Sequence, residues 1–186
     1  MKHFSRKGED CRMDVLIVVD MQNDFIDGAL GTPEARAIVG VAVDKIRNFS
    51  GRVFFTRDTH EENYLETQEG RKLPVRHCIR GTEGFELNPE IAALCRDKPV
   101  DKPSFGSIKL GEMLLELNVT EHIDSVTLIG LCTDICVISN AFIIKAFLPE
   151  VPVAVDAACC AGVTPQSHKQ ALEAMKVCQI QIENDV

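Results

Sequence analysis

Cys136 ends the segment Leu128-Ile129-Gly130-Leu131-Cys132-Thr133-Asp134-Ile135, where an apolar run breaks and a helical pattern begins. A helix N-terminus presents partial positive charge and unpaired N–H groups. Both favour a thiolate and the oxyanion that its attack on a carbonyl creates. Asp20 closes the run Val15-Leu16-Ile17-Val18-Val19, and Lys102 follows Pro99-Val100-Asp101. A carboxylate, an ammonium and a thiol, each at the end of an expected strand, are the parts of a centre that cleaves amides through a covalent thioester. A free thiol has a pKa of about 8.5 and needs activation at neutral pH. Asp20 is the candidate to take the thiol proton and pass it to departing ammonia, and Lys102 to hold carboxylate and thiolate together. Each residue also has an ordinary reading: a core cysteine, a turn-capping aspartate, a solvated lysine. Cys132 is the rival thiol, but it falls before the turn.

A second constellation is Asp58-Thr59-His60 with His77, in the context Leu73-Pro74-Val75-Arg76-His77-Cys78-Ile79-Arg80-Gly81-Thr82. One carboxylate and two imidazoles suit a divalent Zn, Fe or Mn ion and leave positions open for water and substrate. As a bare pattern it is weak, and surface histidines are the default reading. His3, His122 and His168 have no matching partners in the sequence.

Three segments together resemble the signatures of the isochorismatase-like cysteine hydrolases, with the nicotinamidase branch the nearest in pattern. They are Asp20-Met21-Gln22-Asn23-Asp24-Phe25, Asp101-Lys102-Pro103-Ser104-Phe105-Gly106-Ser107, and Gly130 to Val137. The resemblance runs from about Met13 to the C-terminus. It implies Asp20, Lys102 and Cys136 as the catalytic triad, the backbone N–H groups of Cys132 and Cys136 as the oxyanion hole, and a cis bond between Cys132 and Thr133. It implies a divalent metal, zinc first among the candidates, on Asp58, His60 and His77, where it would bind a pyridine nitrogen. Glu69 is the better-spaced candidate for a fourth ligand and Glu66 the alternative. The implied activity is hydrolysis of nicotinamide to nicotinate and ammonia within NAD salvage. The alternative is hydrolysis of another small amide, such as a carbamoyl or ureido compound. Without tryptophan, contact with a substrate ring falls to Phe25 and Phe105.

The composition narrows the function classes. A length of 186 residues suits one domain. A net charge of −8 without a basic patch argues against nucleic acid. No apolar run approaches the roughly 20 residues that span a bilayer. Residues 1–12 lack a signal-peptide core and read as a flexible extension, leaving 13–186 as the expected domain. The eight cysteines, at 11, 78, 95, 132, 136, 159, 160 and 178, form neither paired Cys-x-x-Cys motifs nor a disulfide scaffold. Reduced thiols in a cytoplasmic enzyme are the expectation, most of them buried. A small-molecule amide is the expected partner, in a homo-oligomer.

Apolar runs alternating with amphipathic stretches predict an α/β fold, a doubly wound, Rossmann-like, mostly parallel sheet flanked by helices. Strands are expected at Val15–Val19, Val53–Thr56, near Val100, and at Val126–Gly130, Val153–Val155 and Cys178–Ile182. Helices are expected at Pro33–Phe49, Gly106–Leu117, Cys136–Phe147 and Pro165–Lys176, the last started by Thr164-Pro165. Glu61–Leu87 shows neither period and reads as a long functional loop. Asp20, Asp58, Lys102 and Cys136 all follow expected strands. The carboxyl ends of such a sheet are where ligands bind, so one pocket collects all four.

Overall fold

Val15 through Val19 have no exposed surface at all. A strand apolar at every position must be covered on both faces, which places it at the centre of a parallel sheet. The computed structural model describes residues 13–185; the expected extension at 1–12 lies outside the described residues. The strands are β1 (Met13–Val19), β2 (Arg52–Asp58), β3 (Val100–Lys102), β4 (Ile123–Leu131), β5 (Val153–Ala161) and β6 (Gln181–Glu183). The helices are α1 (Asn23–Ile26), α2 (Pro33–Ala37), α3 (Val39–Asn48), α4 (Gln68–Lys72), α5 (Pro89–Ala92), α6 (Ile108–Thr120), α7 (Ile138–Phe147) and α8 (Pro165–Val177).

The six strands are ordered β3-β2-β1-β4-β5-β6, with every neighbouring pair parallel. Odd residues of β1 (Val15, Ile17, Val19) pack with Leu110 and Leu114 of α6, Ala141 and Ile144 of α7, and Leu172 and Met175 of α8. Its even residues Leu16 and Val18 pack with α1, α3 and α5 through Phe25, Val39, Ala42, Val43 and Ile91. The chain winds outward from β1 to β3, then returns through α6 to β4 on the other side of β1. The strand order therefore reverses between β1 and β4, and a crevice opens at their carboxyl ends. Gly130 lets the two strands close there. Its φ is +115°, and a Cβ would stand 2.1 Å from the Val19 carbonyl oxygen.

Several elements differ from expectation in extent. The helix expected over Pro33–Phe49 is divided at Ile38, whose φ of −83° and ψ of −10° lie at the edge of the helical region, giving α2 and α3. Thr32 and Ser107 cap α2 and α6, so α6 begins two residues after Gly106. The segment that bears Cys136 starts as a π turn, Thr133–Val137, before α7 proper. β5 continues through Asp156-Ala157-Ala158-Cys159-Cys160 because Lys45 and Asn184 bind the Asp156 carboxylate within the fold. Thr164 caps α8 reciprocally with Ser167. The Glu61–Leu87 region contains a 3-10 turn at Tyr64–Glu66 and helix α4. Both are shorter than two helical turns and so leave no legible period. No helix among the described residues is long and apolar enough to cross a membrane.

Candidate active site

β1, β2, β3 and β4 deliver one functional group each to the crevice. Asp20 follows β1 with φ of 47°, a left-handed conformation that turns its carboxylate into the site. Asp58 ends β2, Lys102 ends β3, and the parallel register sets these two side by side. Cys136 lies in the π turn after β4. Asp20 and Lys102 are fully buried, and Cys136 and Asp58 nearly so.

Lys102 Nζ is the hub. It stands 2.6 Å from Asp20 Oδ2, 3.4 Å from Asp58 Oδ1, 3.4 Å from Cys136 Sγ and 3.2 Å from the Ser104 carbonyl oxygen. Asp20 Oδ1 accepts the Thr56 hydroxyl at 2.6 Å. The contact of Oδ2 with Lys102 is an ion pair outside hydrogen-bonding angles, so Oδ2 keeps a lone pair for a proton. The three residues named from sequence as the triad therefore meet around one ammonium.

The Cys136 thiol is pushed well above its ordinary value, by burial first and then by the Asp20 and Asp58 carboxylates, with Lys102 acting against them. The resting sulfur is therefore a neutral thiol that needs a base, the part expected of Asp20. Burial likewise raises Asp20, with Lys102 opposing and Asp58 adding to the shift. For Lys102, burial disfavours the charge, but Asp20, Cys136 and Asp58 outweigh it and hold the ammonium protonated. Burial pushes Asp58 up as well, but the neighbouring His60 and His77 rings and the Lys102 ammonium overcome it, so its carboxylate stays ionised.

Asp58 faces two ways. Its Oδ1 meets Lys102, and its Oδ2 lies 3.1 Å from His60 Nε2 and 3.6 Å from His77 Nε2. Glu69 Oε1 stands 3.6 Å from His60 Nε2 and 3.8 Å from His77 Nε2. Ligand atoms of Asp58, His60, Glu69 and His77 all lie within 4.8 Å of one another. Four ligands about 2.1 Å from one ion in a tetrahedron stand about 3.4 Å apart, so these spacings fit a divalent metal. Two further observations agree. His60 Nε2 is buried with no hydrogen-bond partner among the described residues. His77 Nδ1 donates to the Val75 carbonyl at 2.8 Å, leaving Nε2 as a lone pair aimed at the cluster. Tyr64 packs on both rings, at 4.6 Å from His60 and 5.0 Å from His77. Of the two glutamates weighed, Glu69 on α4 joins the cluster, whereas Glu66 is exposed and outside it.

Both constellations open on one cavity of about 490 Å³. Phe25, Leu30, Leu73, Phe105 and Ile135 give it apolar walls, and Cys132 and Cys136 lie on the same lining. Phe25 sets an edge against His77 at 5.7 Å between ring centres. Phe105 is 44% exposed and forms part of the rim. The cis peptide bond is Leu131–Cys132, one residue before the position expected from the resemblance. The kink falls where β4 ends, whereas Thr133 already belongs to the π turn.

Sequence reasoning missed the residues that brace the site. Gln22 is buried, its Oε1 accepting the Asp58 N–H at 2.7 Å and its Nε2 donating to the carbonyls of Asp58 and Phe85 at 2.9 and 2.8 Å. Asp24 Oδ2 accepts the Cys78 N–H at 2.7 Å, fixing the segment after His77. His168, without a partner in sequence, contacts the Thr133 hydroxyl at 2.8 Å behind the nucleophile turn. At Asn140 the available signal was a polar residue within a largely apolar stretch, whereas Gln22 sits among Asp20, Asn23 and Asp24 and gave none. Among the described cysteines all are free thiols; Cys78, Cys136, Cys159 and Cys160 are buried, while Cys178 is exposed.

Comparison with known proteins places this arrangement. The isochorismatase domain model matches residues 14–184. The chain belongs to the isochorismatase family. Within that family it is 26% identical over 184 residues to the nicotinamidase/pyrazinamidase of Mycobacterium tuberculosis, covering 91% of this chain and 98% of the relative. The crystal structure of the pyrazinamidase of Pyrococcus horikoshii in complex with zinc superposes with a TM-score of 0.72 at 29% identity, covering 91% of this chain and 98% of that one. The N-carbamoylsarcosine amidase of Thermoplasma acidophilum gives 0.69 at 27% identity, covering 94% and 98%.

Proposed function

We propose that this isochorismatase-family protein is a metal-dependent cysteine amidohydrolase that converts nicotinamide to nicotinate and ammonia. The observation that carries the reading is the quartet Asp58, His60, Glu69 and His77 opening on the same cavity as the Cys136 thiol. A carbamoyl substrate offers no ring nitrogen for such a cluster, whereas a pyridine carboxamide offers one. A divalent ion held there, with zinc the first candidate, would supply Lewis-acid coordination of that nitrogen.

The chain's own residues carry the bond changes. Asp20 takes the Cys136 proton as sulfur attacks the carboxamide carbon, and the backbone N–H groups of Cys132 and Cys136 receive the oxyanion. Negative charge passes from Asp20 through the attacking sulfur to the carbonyl oxygen, with Asp20 Oδ2 and Cys136 Sγ both near Lys102 Nζ, at 2.6 and 3.4 Å. The buried site keeps its net charge throughout, so no ion is desolvated during the step. Collapse of the intermediate breaks the C–N bond, and the proton held by Asp20 leaves with ammonia. Water, deprotonated by Asp20, then attacks the thioester, releasing nicotinate and restoring the thiol. Phe25 and Phe105 contact the ring. The free thiols support a cytoplasmic setting, where we place the enzyme, as a homo-oligomer acting in NAD salvage.

Ammonia release from nicotinamide by metal-loaded protein tests the reading. Turnover that requires metal supports it. Turnover of carbamoyl or ureido compounds without metal, and none of nicotinamide, would establish instead the second reading, which the likeness to the N-carbamoylsarcosine amidase favours.

A further inference from the structure

Asn140 is fully buried on the first turn of α7, among apolar neighbours, and all its contacts reach toward the site. Its Nδ2 donates to the Cys136 carbonyl at 2.8 Å and to the Phe105 carbonyl at 3.1 Å, and its Oδ1 accepts the Ser107 N–H at 3.0 Å. One side chain thus joins the nucleophile turn to the segment that carries Phe105 and opens α6. That segment has a second tether, Lys102 Nζ to the Ser104 carbonyl at 3.2 Å. The segment lies close against α7 at Gly106, where a Cβ would stand 2.4 Å from Ile143 Cδ1, the movable end of that side chain.

We propose that Asn140 is a positioning residue that fixes Cys136 and Phe105 relative to each other, coupling nucleophile alignment to the substrate wall. The inference rests on Cys136 being the nucleophile but not on the identity of the amide. Three properties of the side chain support it. An amide supplies two donors and an acceptor at once, and here all are used. Full burial makes each unmatched partner costly, so the contacts hold one geometry rather than several. The Cys136 carbonyl belongs to the residue that bears the thiol. Without the amide, that carbonyl and the Phe105 carbonyl would both be left to water or to a shifted turn, and a nucleophile misplaced by about 1 Å loses on the order of 10²-fold in rate.

The test compares Asn140→Asp and Asn140→Ala with wild type. An ionised Asp keeps the shape and the Ser107 contact, yet sets a carboxylate against two carbonyl oxygens. Three readouts are taken on the folded fraction: kcat and KM on whichever amide is turned over, the rate of Cys136 alkylation by iodoacetamide mapped by mass spectrometry, and both across pH 5–8. The expected result for Asn140→Asp is a fall of about tenfold or more in kcat and in alkylation at neutral pH, with a rise in KM from the freed Phe105. The ratio of variant to wild type should climb as pH falls, because a protonated carboxyl regains one donor for Cys136. Asn140→Ala should lose rate with no such pH recovery. Wild-type kcat and alkylation in folded Asn140→Asp, or losses that track only the unfolded fraction, would overturn the proposal. Turnover persisting in a Cys136→Ala control would instead overturn the nucleophile assignment.

Discussion

Replacing Lys102 by Met removes the single cation shared by Asp20, Asp58 and Cys136 while keeping the stem length. At 2.6 Å from Asp20 Oδ2, with an effective dielectric constant of about 20, Coulomb's law assigns the pair about 6 kcal/mol. Water and rearrangement absorb part of this, and close opposite charges typically move a carboxyl pKa by about 1–3 units. The sign follows from charge. Asp20 already lies above its ordinary value through burial, and loss of the ammonium raises it further. Asp20 must be ionised to accept the thiol proton, so activity disappears as pH falls through its pKa. In Lys102→Met the acid limb of kcat/KM should therefore move up by at least one unit. The thiol shifts in the same direction, because Lys102 is the cation opposing its rise. Alkylation of Cys136 near pH 7 should slow about tenfold or more, one pKa unit being a factor of ten in thiolate. The assays are a pH–rate series and timed iodoacetamide labelling read at the Cys136 peptide. An unmoved acid limb together with an unchanged labelling rate would show that the ammonium acts on neither group, and the triad would reduce to a thiol beside a carboxylate.

Cys136→Ala should abolish turnover with the fold retained, whereas Cys132→Ala should keep substantial activity because only its backbone N–H is assigned a role; kinetics and circular dichroism on both variants decide it. Metal-loaded protein should hold one divalent ion per chain by elemental analysis; His77→Ala should lose most of it, Glu69→Gln should bind more weakly, and Glu66→Gln should be unaffected. At metal concentrations near 100 times Kd, the ion should add about 2.7 kcal/mol of stability, read as a higher Tm than in chelator. Lys102→Met alone should lower Tm, since breaking a buried pair costs about 3–5 kcal/mol, and adding Asp20→Asn should recover much of that loss; additive losses in the double variant would refute the pairing.

Strand ends were legible in the sequence where a functional residue closes an apolar run, as Asp20 does, whereas Lys102 follows only the short Pro99-Val100-Asp101. Val15–Val19 followed by Asp20 shows both that β1 is central and that its carboxyl end is where the chain turns polar. Asp58, His60 and His77 were legible by residue type, and spacing ranked Glu69 ahead of Glu66, as the cluster bears out, without showing why. Their difference is set by α4, a five-residue helix started by Thr67, whose hydroxyl accepts the Gly70 N–H at 3.0 Å. A single short helix leaves no periodicity, so the direction of each glutamate depends on the fold around it. How strongly the Cys136 thiol is held protonated was not legible for a similar reason. Helix polarity is visible in sequence, while burial and the second carboxylate, Asp58, come from strands remote along the chain. Gln22 and Asn140 escaped notice because their value lies in which backbone groups they reach, and that follows from tertiary packing.

The site does not hold the fold together; the fold holds the site. Transfer of a lone charge into a protein interior costs several kcal/mol even after relaxation, and Asp20, Asp58 and Lys102 are all buried. Two carboxylates and one ammonium leave an excess negative charge at the ends of β1, β2 and β3. Burial raises Asp20 and Cys136, with Asp58 adding to the shift and Lys102 opposing it, which suits a step in which a proton passes between them. The apolar layers on the two faces of β1 bear the cost, since they come from residues outside the crevice such as Leu16, Ile17, Leu110, Leu114 and Ile91. A site lying at the strand-order reversal can thus be electrostatically strained without loosening the core beneath it. Asp58 is the point where strain and ligand meet, because one oxygen faces Lys102 and the other faces His60 and His77. A cation drawn to Asp58, His60, Glu69 and His77 would meet a carboxylate already ionised and two ring nitrogens already oriented. The same residues that make the crevice too negative for an empty interior thereby make it fit for a divalent ion.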